Sequence, residues 1–166
     1  MLLADLLQTV PMFSDFTQGE IMILEKVLRV QSYRDGHTFI KEGTGNQTMY
    51  LIIDGEVQVT RTRANAPGYD LVKKLGQGDI FGLISLIDRG ISTATCRASG
   101  KVEAASLPRP AFDLLMNNHA SIAKHFKRLV ARQLAHDIKV PIDEIADLIE
   151  AGNTEEIRRF AEADRD

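Results

Sequence analysis

Residues 49–59 read Met49-Tyr50-Leu51-Ile52-Ile53-Asp54-Gly55-Glu56-Val57-Gln58-Val59, and this stretch decides the fold class. Met49, Leu51 and Ile53 alternate along one run, and Val57 and Val59 alternate with Glu56, Gln58 and Thr60 along the next. A period of two is the mark of a half-buried strand. Asp54-Gly55 supplies the positive φ values that a tight primed turn needs, so the stretch predicts two short strands joined as a hairpin. The same pattern runs from Arg29 to Leu107, where Val-, Ile-, Thr- and Tyr-rich runs are cut by Arg34-Asp35-Gly36, Gly43-Thr44-Gly45-Asn46, Ala66-Pro67-Gly68, Gly76-Gln77-Gly78-Asp79 and Gly100. Short strands at close turn spacing predict a small antiparallel barrel or jelly roll rather than a parallel sheet.

Helices flank this region. Leu2, Leu3, Leu6, Leu7 and Val10 recur at three- and four-residue spacing until Pro11 stops them, and Ile21, Leu24, Val27 and Leu28 share a face of a second helix with Glu20 away from it. Beyond the strands, Pro110 suits a first helical turn. A long helix is expected over 120–138: Ala123, Phe126, Val130 and Leu134 form a stripe widened by Ile122 and Leu129, with Lys124, Lys127, Arg128 and Arg132 around it. After Pro141 two short acidic helices are expected, the second capped by Asn153 and Glu156. The expected domains are therefore 1–138 and an acidic helical tail, 139–166.

The chain has 166 residues, a one-domain length, and 20 basic against 23 acidic residues. Asp143 to Asp166 hold nine acidic and three basic residues, a net of −6, which leaves +3 on the rest of a chain whose total is −3. Charge alone does not announce a nucleic-acid or membrane binder. Cys96 is alone, so one chain builds no disulfide and no all-Cys metal site, and a reducing compartment is expected. Asp5 interrupts the N-terminal apolar run and no uninterrupted apolar stretch approaches the roughly 18 residues of a membrane span, so a cytoplasmic protein with no membrane partner is expected.

Several stretches, in order, resemble the cyclic nucleotide-binding domain family of catabolite-activator-type regulators, kinase regulatory subunits and gated channels. They are Val10-Pro11-Met12-Phe13, Tyr33-Arg34-Asp35-Gly36 with Phe39-Ile40-Lys41-Glu42-Gly43, the 49–57 stretch, Leu75-Gly76-Gln77-Gly78-Asp79-Ile80-Phe81-Gly82, and Thr93-Ala94-Thr95-Cys96-Arg97-Ala98. The resemblance spans about Val10 to Leu134. It implies an α+β fold: an antiparallel β-roll, or jelly roll, of about eight short strands, with N-terminal helices and a long C-terminal helix beside it and here a helical acidic tail. It also implies a short cassette that cradles a cyclic nucleotide, reading Phe-Gly-Glu, a short helix, then Pro-Arg-Ser-Ala.

Here the cassette positions are Gly82, Leu83, Ile84, Ser85, Ser92, Thr93 and Ala94. Leu83 stands where the resemblance implies the ribose-binding Glu, and Ser92 where it implies the phosphate-binding Arg. A hydrogen bond to a charged group is worth roughly 1.5–3 kcal/mol, so two lost contacts cost about 3–6 kcal/mol. That is about a hundredfold to ten-thousandfold in affinity. The expectation is a site that does not recognise cAMP or cGMP in the usual mode, with Arg89 and Arg97 as the cations that could compensate. An altered-mode sensor of a cyclic nucleotide or another effector is the alternative.

Other chemistry is excluded or bland. Gly76, Gly78 and Gly82 lack the spacing of a phosphate loop and read as turn glycines. His37, His119, His125 and His136 are scattered without metal-ligand spacing, Cys96 reads as a buried strand thiol, and no nucleophile–base–acid set stands out. The expectation is no metal, no required cofactor and no enzyme. The 28 residues after Ile138 are too few, and of the wrong sign, for a helix-turn-helix domain, so no direct DNA binding is expected. The expected partners are a second copy through helix 120–138 and another protein through tail residues 142–163.

Overall fold

A computed structural model describes residues 2–138. The chain divides into two compact units, one up to Phe112 and one from Asp113. In the first unit, helix α1 (Leu3–Thr9) leads through a 3₁₀ turn at Pro11–Phe13 into α2 (Gln18–Val27). Six strands follow: β1 (Arg29–Tyr33), β2 (Thr38–Ile40), β3 (Thr48–Thr62), β4 (Tyr69–Leu75), β5 (Ile80–Phe81) and β6 (Thr95–Pro108). A short helix, α3 (Leu83–Asp88), lies between β5 and β6 in sequence, and α4 (Arg109–Asn118) follows β6.

Every pairing in the sheet is antiparallel, in the order β1-β6-β3-β4, with β2 added to β6 and β5 added to β3. This is the antiparallel α+β roll expected. The strand count is six because β3 and β6 are long strands that bend without ending. That bend corrects one reading. Asp54-Gly55 does not close a hairpin; β3 runs through it while its register against β6 shifts on both sides of Asp54, which is a bulge. Gly55 takes φ 101°, and a Cβ there would lie 2.5 Å from the Lys101 carbonyl oxygen, so only glycine lets β6 approach so closely.

The bend lets one face of the sheet curl around a core. Phe39, Ile40, Ile52, Val57, Val59, Leu75, Phe81, Cys96, Ala98, Val102 and Ala104 form a single buried cluster inside the roll. Part of it is aromatic: Tyr50 stacks on Phe81 at 5.1 Å between ring centroids, and Phe39 meets both edge-on. Met49, Leu51 and Ile53 are buried on the opposite face, so the first half of β3 is covered on both sides. Gly78 sits against Val10, since an added Cβ would lie 3.1 Å from that side chain, and this seats the N-terminal segment on the roll.

Helix α2 begins with a reciprocal cap. Thr17 Oγ1 accepts from the Glu20 amide at 3.3 Å, and the Glu20 carboxylate accepts from the Thr17 amide at 2.8 Å. Glu20 is therefore buried instead of facing away from the core as the periodicity suggests. In the second unit, Ile122, Phe126, Leu129, Val130, Ala131 and Leu134 of α5 (Ala120–Ile138) are buried within a single chain. A dimer through helix 120–138 would thus meet its exposed positions, such as Lys124 and Arg128, and not the apolar stripe. The tail expectations, 139–166 with its helices at 142–163, lie outside the described residues. No described helix is long and apolar enough to cross a membrane.

Candidate functional site

The cassette runs from Gly82 to Ala94, and each end of its helix is held by a side chain. Gly82 precedes α3 at φ 81°, a left-handed conformation natural to glycine. Its surroundings are as restrictive as its dihedral: an added Cβ would lie 2.5 Å from the Thr48 carbonyl oxygen, 2.8 Å from Asn46 Nδ2 and 3.1 Å from Ile40 Cδ1. Asn46 is buried and organises this corner. Its Nδ2 donates to the Thr48 carbonyl at 2.7 Å and the Gly82 carbonyl at 3.0 Å, and its Oδ1 accepts from the Thr48 amide at 3.2 Å.

Arg109, the first residue of α4, holds the far end. Its Nη1 donates to the Leu86 carbonyl at 3.1 Å, and its Nη2 to the carbonyls of Asn46 at 3.3 Å and Ser85 at 3.5 Å. Its Nε donates to Gln47 Oε1 at 2.8 Å. The last carbonyls of a helix lack intrahelical partners, so a guanidinium placed there satisfies them and complements the negative end of the helix. Arg109 thus joins α3, the 46–47 turn and the start of α4.

The chain leaves α3 through Arg89, a left-handed residue at φ 56°, and Gly90, whose amide donates to Asp88 Oδ1 at 2.7 Å. It then pairs with the glycine loop before β3. Ile91 bridges Gly45, the Ser92 amide donates to the Thr44 carbonyl, and the Gly43 amide donates to the Ser92 carbonyl, both at 2.8 Å. The Glu42 amide donates to Thr95 Oγ1 at 3.0 Å.

The two positions that matter most for ligand chemistry are both buried. Leu83 is 1% exposed, packed as a core residue with no acceptor to offer a ribose. Ser92 is 6% exposed, and its Oγ has no hydrogen-bond partner. Ile91, by contrast, is 63% exposed and does not fill the site. Arg97 lies between the inward Cys96 and Ala98, opposite Gln58 and Thr38, so it faces out of the roll, and its Nε donates to Thr38 Oγ1 at 3.3 Å. Arg89 is exposed at the end of α3. A carboxylate and a guanidinium are therefore absent from the two cassette positions.

The inner wall of the roll carries cations that sequence reasoning passed over. Lys73 is the register partner of Val59, which in turn pairs with Cys96, and Cys96 with Ile40. Directly paired residues point to the same side of a sheet, so Lys73 belongs to the inner face. Arg61, two residues beyond Val59, shares that face, and its Nε donates to the Thr93 carbonyl at 3.2 Å. Burial pushes the Cys96 thiol up to about 11, and the Lys73 charge pulls partly the other way. At neutral pH Cys96 is a protonated, unreactive thiol. Among the described residues no cluster of His, Cys, Asp or Glu could hold a metal ion.

The comparisons agree with this architecture. The family model described as the cyclic nucleotide-binding domain matches residues 30–119. The chain is 29% identical over 130 residues to a CRP-like cAMP-activated global transcriptional regulator of Mycobacterium tuberculosis, covering 78% of this chain and 58% of that protein. It is also 29% identical over 128 residues to the cAMP-dependent protein kinase regulatory subunit of Schizosaccharomyces pombe, covering 77% of this chain and 30% of that one. The chain thus spans less than two thirds of the length of either relative. Among solved structures, the N-terminal domain of a transcriptional regulator from Streptomyces coelicolor superposes with a TM-score of 0.68 at 25% identity, covering 80% of this chain and 92% of that one. The chain belongs to the cyclic nucleotide-binding domain family.

Proposed function

We propose that this protein is a non-enzymatic regulatory module that does not take cAMP or cGMP in the usual mode and that works through contacts with other proteins. The observation that carries the reading is Leu83, 1% exposed where a ribose-accepting carboxylate would stand, together with a serine where a guanidinium would meet the phosphate. Two missing charge-assisted bonds weaken binding by about 3–6 kcal/mol, enough to move a micromolar site to millimolar or beyond. The regulatory role is carried over from relatives named as a transcriptional regulator and a kinase regulatory subunit. The protein contacts are assigned to the exposed face of α5 and to the 142–163 segment, and direct DNA binding is not part of the proposal.

Restoring the missing groups tests it. Ser92→Arg alone, and Leu83→Glu with Ser92→Arg, should raise cAMP affinity in two steps of about tenfold or more each. Ser92→Arg is the cleaner variant, because Leu83 belongs to the core and its replacement also affects folding. Wild-type affinity equal to that of the restored variants would overturn the reading. A second reading, an altered-mode sensor, is favoured by the buried Ser92 hydroxyl, which has no protein partner and is placed beside the Arg61-bound Thr93.

A further inference from the structure

Helix α5 stands apart in both charge and burial. From Ala120 to His136 its sequence holds Lys124, Lys127, Arg128 and Arg132 and no acidic residue. Lys124 and Arg128 are exposed, four residues apart, and Lys127 is half-buried beside them. Among the described residues no salt bridge or side-chain hydrogen bond engages these three. Like charges at that spacing repel along a helix, and cations in the N-terminal half oppose the positive end of its dipole. Carboxylates brought from another segment would relieve both effects.

Burial points to the same face. Over 121–128 only Ile122 and Phe126 are buried, one stripe at four-residue spacing. Leu129, Val130 and Ala131 are then buried in succession, at 1%, 1% and 0% exposure. Three successive residues turn through about 200° of a helix, wider than a one-sided contact covers. Ala131 follows Lys127 by four residues and Lys124 by seven, so it lies on the cationic face. That face is thus open at Lys124 and Arg128 and covered at Ala131.

The sequence after α5 carries the complementary pattern in the complementary order. Pro141 opposes continuation of a helix, Ile145, Leu148 and Ile149 come next, and Asp143 to Asp166 hold a net of −6. A segment turning back at Pro141 and running antiparallel to α5 comes level with Ala131 at about residue 149, and with Lys124 at about residue 156. Its apolar residues then meet Ala131, and Glu150, Glu155 and Glu156 meet the cations. A connection this short gives the segment an effective concentration of about millimolar order, which favours its own helix over that of a second copy.

We infer that the acidic segment 143–163 docks on the cationic face of α5 in the same chain, with Ile145, Leu148 and Ile149 over Ala131 and its carboxylates against Lys124, Lys127 and Arg128. The inference rests on the assignment of protein contacts to these two surfaces, and it makes each the occupant of the other until a partner displaces it. Exposed ion pairs are individually weak, so the apolar stripe and the charges act together.

Amide hydrogen exchange of the full chain, read over 143–163 by mass spectrometry, tests the contact. At low ionic strength these amides should exchange at least about tenfold more slowly than in an unstructured chain, and salt should reduce that protection. Lys124→Glu with Arg128→Glu should speed their exchange about threefold or more, and Glu150→Lys with Glu155→Lys should do the same. All four substitutions together should recover most of the protection, and Lys101→Glu, exposed on β6, should change nothing. Circular dichroism confirms that the variants are folded. Exchange unchanged by the reversal at 124 and 128, or no recovery when all four charges are swapped, overturns the inference. Protection that grows with protein concentration assigns the segment to a second copy and overturns it as well. Each of these outcomes leaves the cassette reading standing, whereas micromolar cAMP binding overturns that reading and leaves the contact in place.

Discussion

Gly82 is where the cassette is most sensitive to one added methyl group, and Gly43 is its natural control. Both have positive φ, 81° and 80°, so alanine at either position pays the same left-handed strain of about 1–2 kcal/mol. The same loss of unfolded-chain freedom also applies to both and cancels in the comparison. Their surroundings differ. At Gly43 nothing lies within 4 Å of the new Cβ, whereas at Gly82 it would sit 2.5 Å from the Thr48 carbonyl oxygen and 2.8 Å from Asn46 Nδ2. The backbone oxygen cannot step aside cheaply, and moving Asn46 breaks its bonds to Thr48 and Gly82 while leaving a buried amide without partners. That adds about 1–3 kcal/mol. Gly82→Ala should therefore cost about 2–5 kcal/mol and exceed Gly43→Ala by about 1–3 kcal/mol. Urea unfolding followed by far-ultraviolet circular dichroism measures both, the chain having no tryptophan. Equal losses, within about 0.5 kcal/mol, would refute the claim that Asn46 and Thr48 enclose the cassette glycine.

Three further outcomes follow from side chains named above. Arg109→Ala should destabilise by about 1–3 kcal/mol and speed amide exchange across residues 83–88, with Arg109→Lys restoring little because one ammonium cannot reach four acceptors; unchanged exchange in α3 would contradict the clamp. Cys96 has a folded pKa raised from 9.0 to about 11, so its contribution is present below pH 9 and is lost as pH rises from about 9 to about 11. That loss is about 2–3 kcal/mol, and stability curves of the wild type and Cys96→Ala should converge over this window; the partly buried tyrosines Tyr33 and Tyr50, also raised by burial, add a loss that sets in from about pH 10 in both proteins and cancels in the comparison. Thr17→Ala should cost about 1 kcal/mol by thermal melting, since it removes the hydroxyl half of the α2 capping box.

The roll was legible because its turns announce themselves: Gly36, Gly43, Gly68, Gly78 and Gly100 all take positive φ. Gly55 does too, but a positive φ serves a primed turn and a bulge equally well. What decides between them is the pairing of β3 with β6 on both sides of Asp54, a long-range fact absent from local sequence. The same limit hid Lys73. Along β4 it shares parity with the exposed Leu71 and with the buried Leu75 alike, and only the register against β3, with its extra residue at Val72, shows that it keeps the side of Leu75. Asn46 and Arg109 were passed over for another reason. Each looks like ordinary loop punctuation, one after Gly45 and one before Pro110, and their roles depend on carbonyls brought from 23 to 63 residues away. Leu83 and Ser92 were legible because the family's motif order marks their positions, and burial then explains Leu83 as a core residue.

Calorimetric titration of the wild-type chain with cAMP and with cGMP bears most directly on the account. With Leu83 in the core and no guanidinium at Ser92, neither nucleotide should saturate the protein below about 1 mM. Saturable one-to-one binding of either in the micromolar range would contradict the account, because it would require the polar contacts that these two residues do not provide.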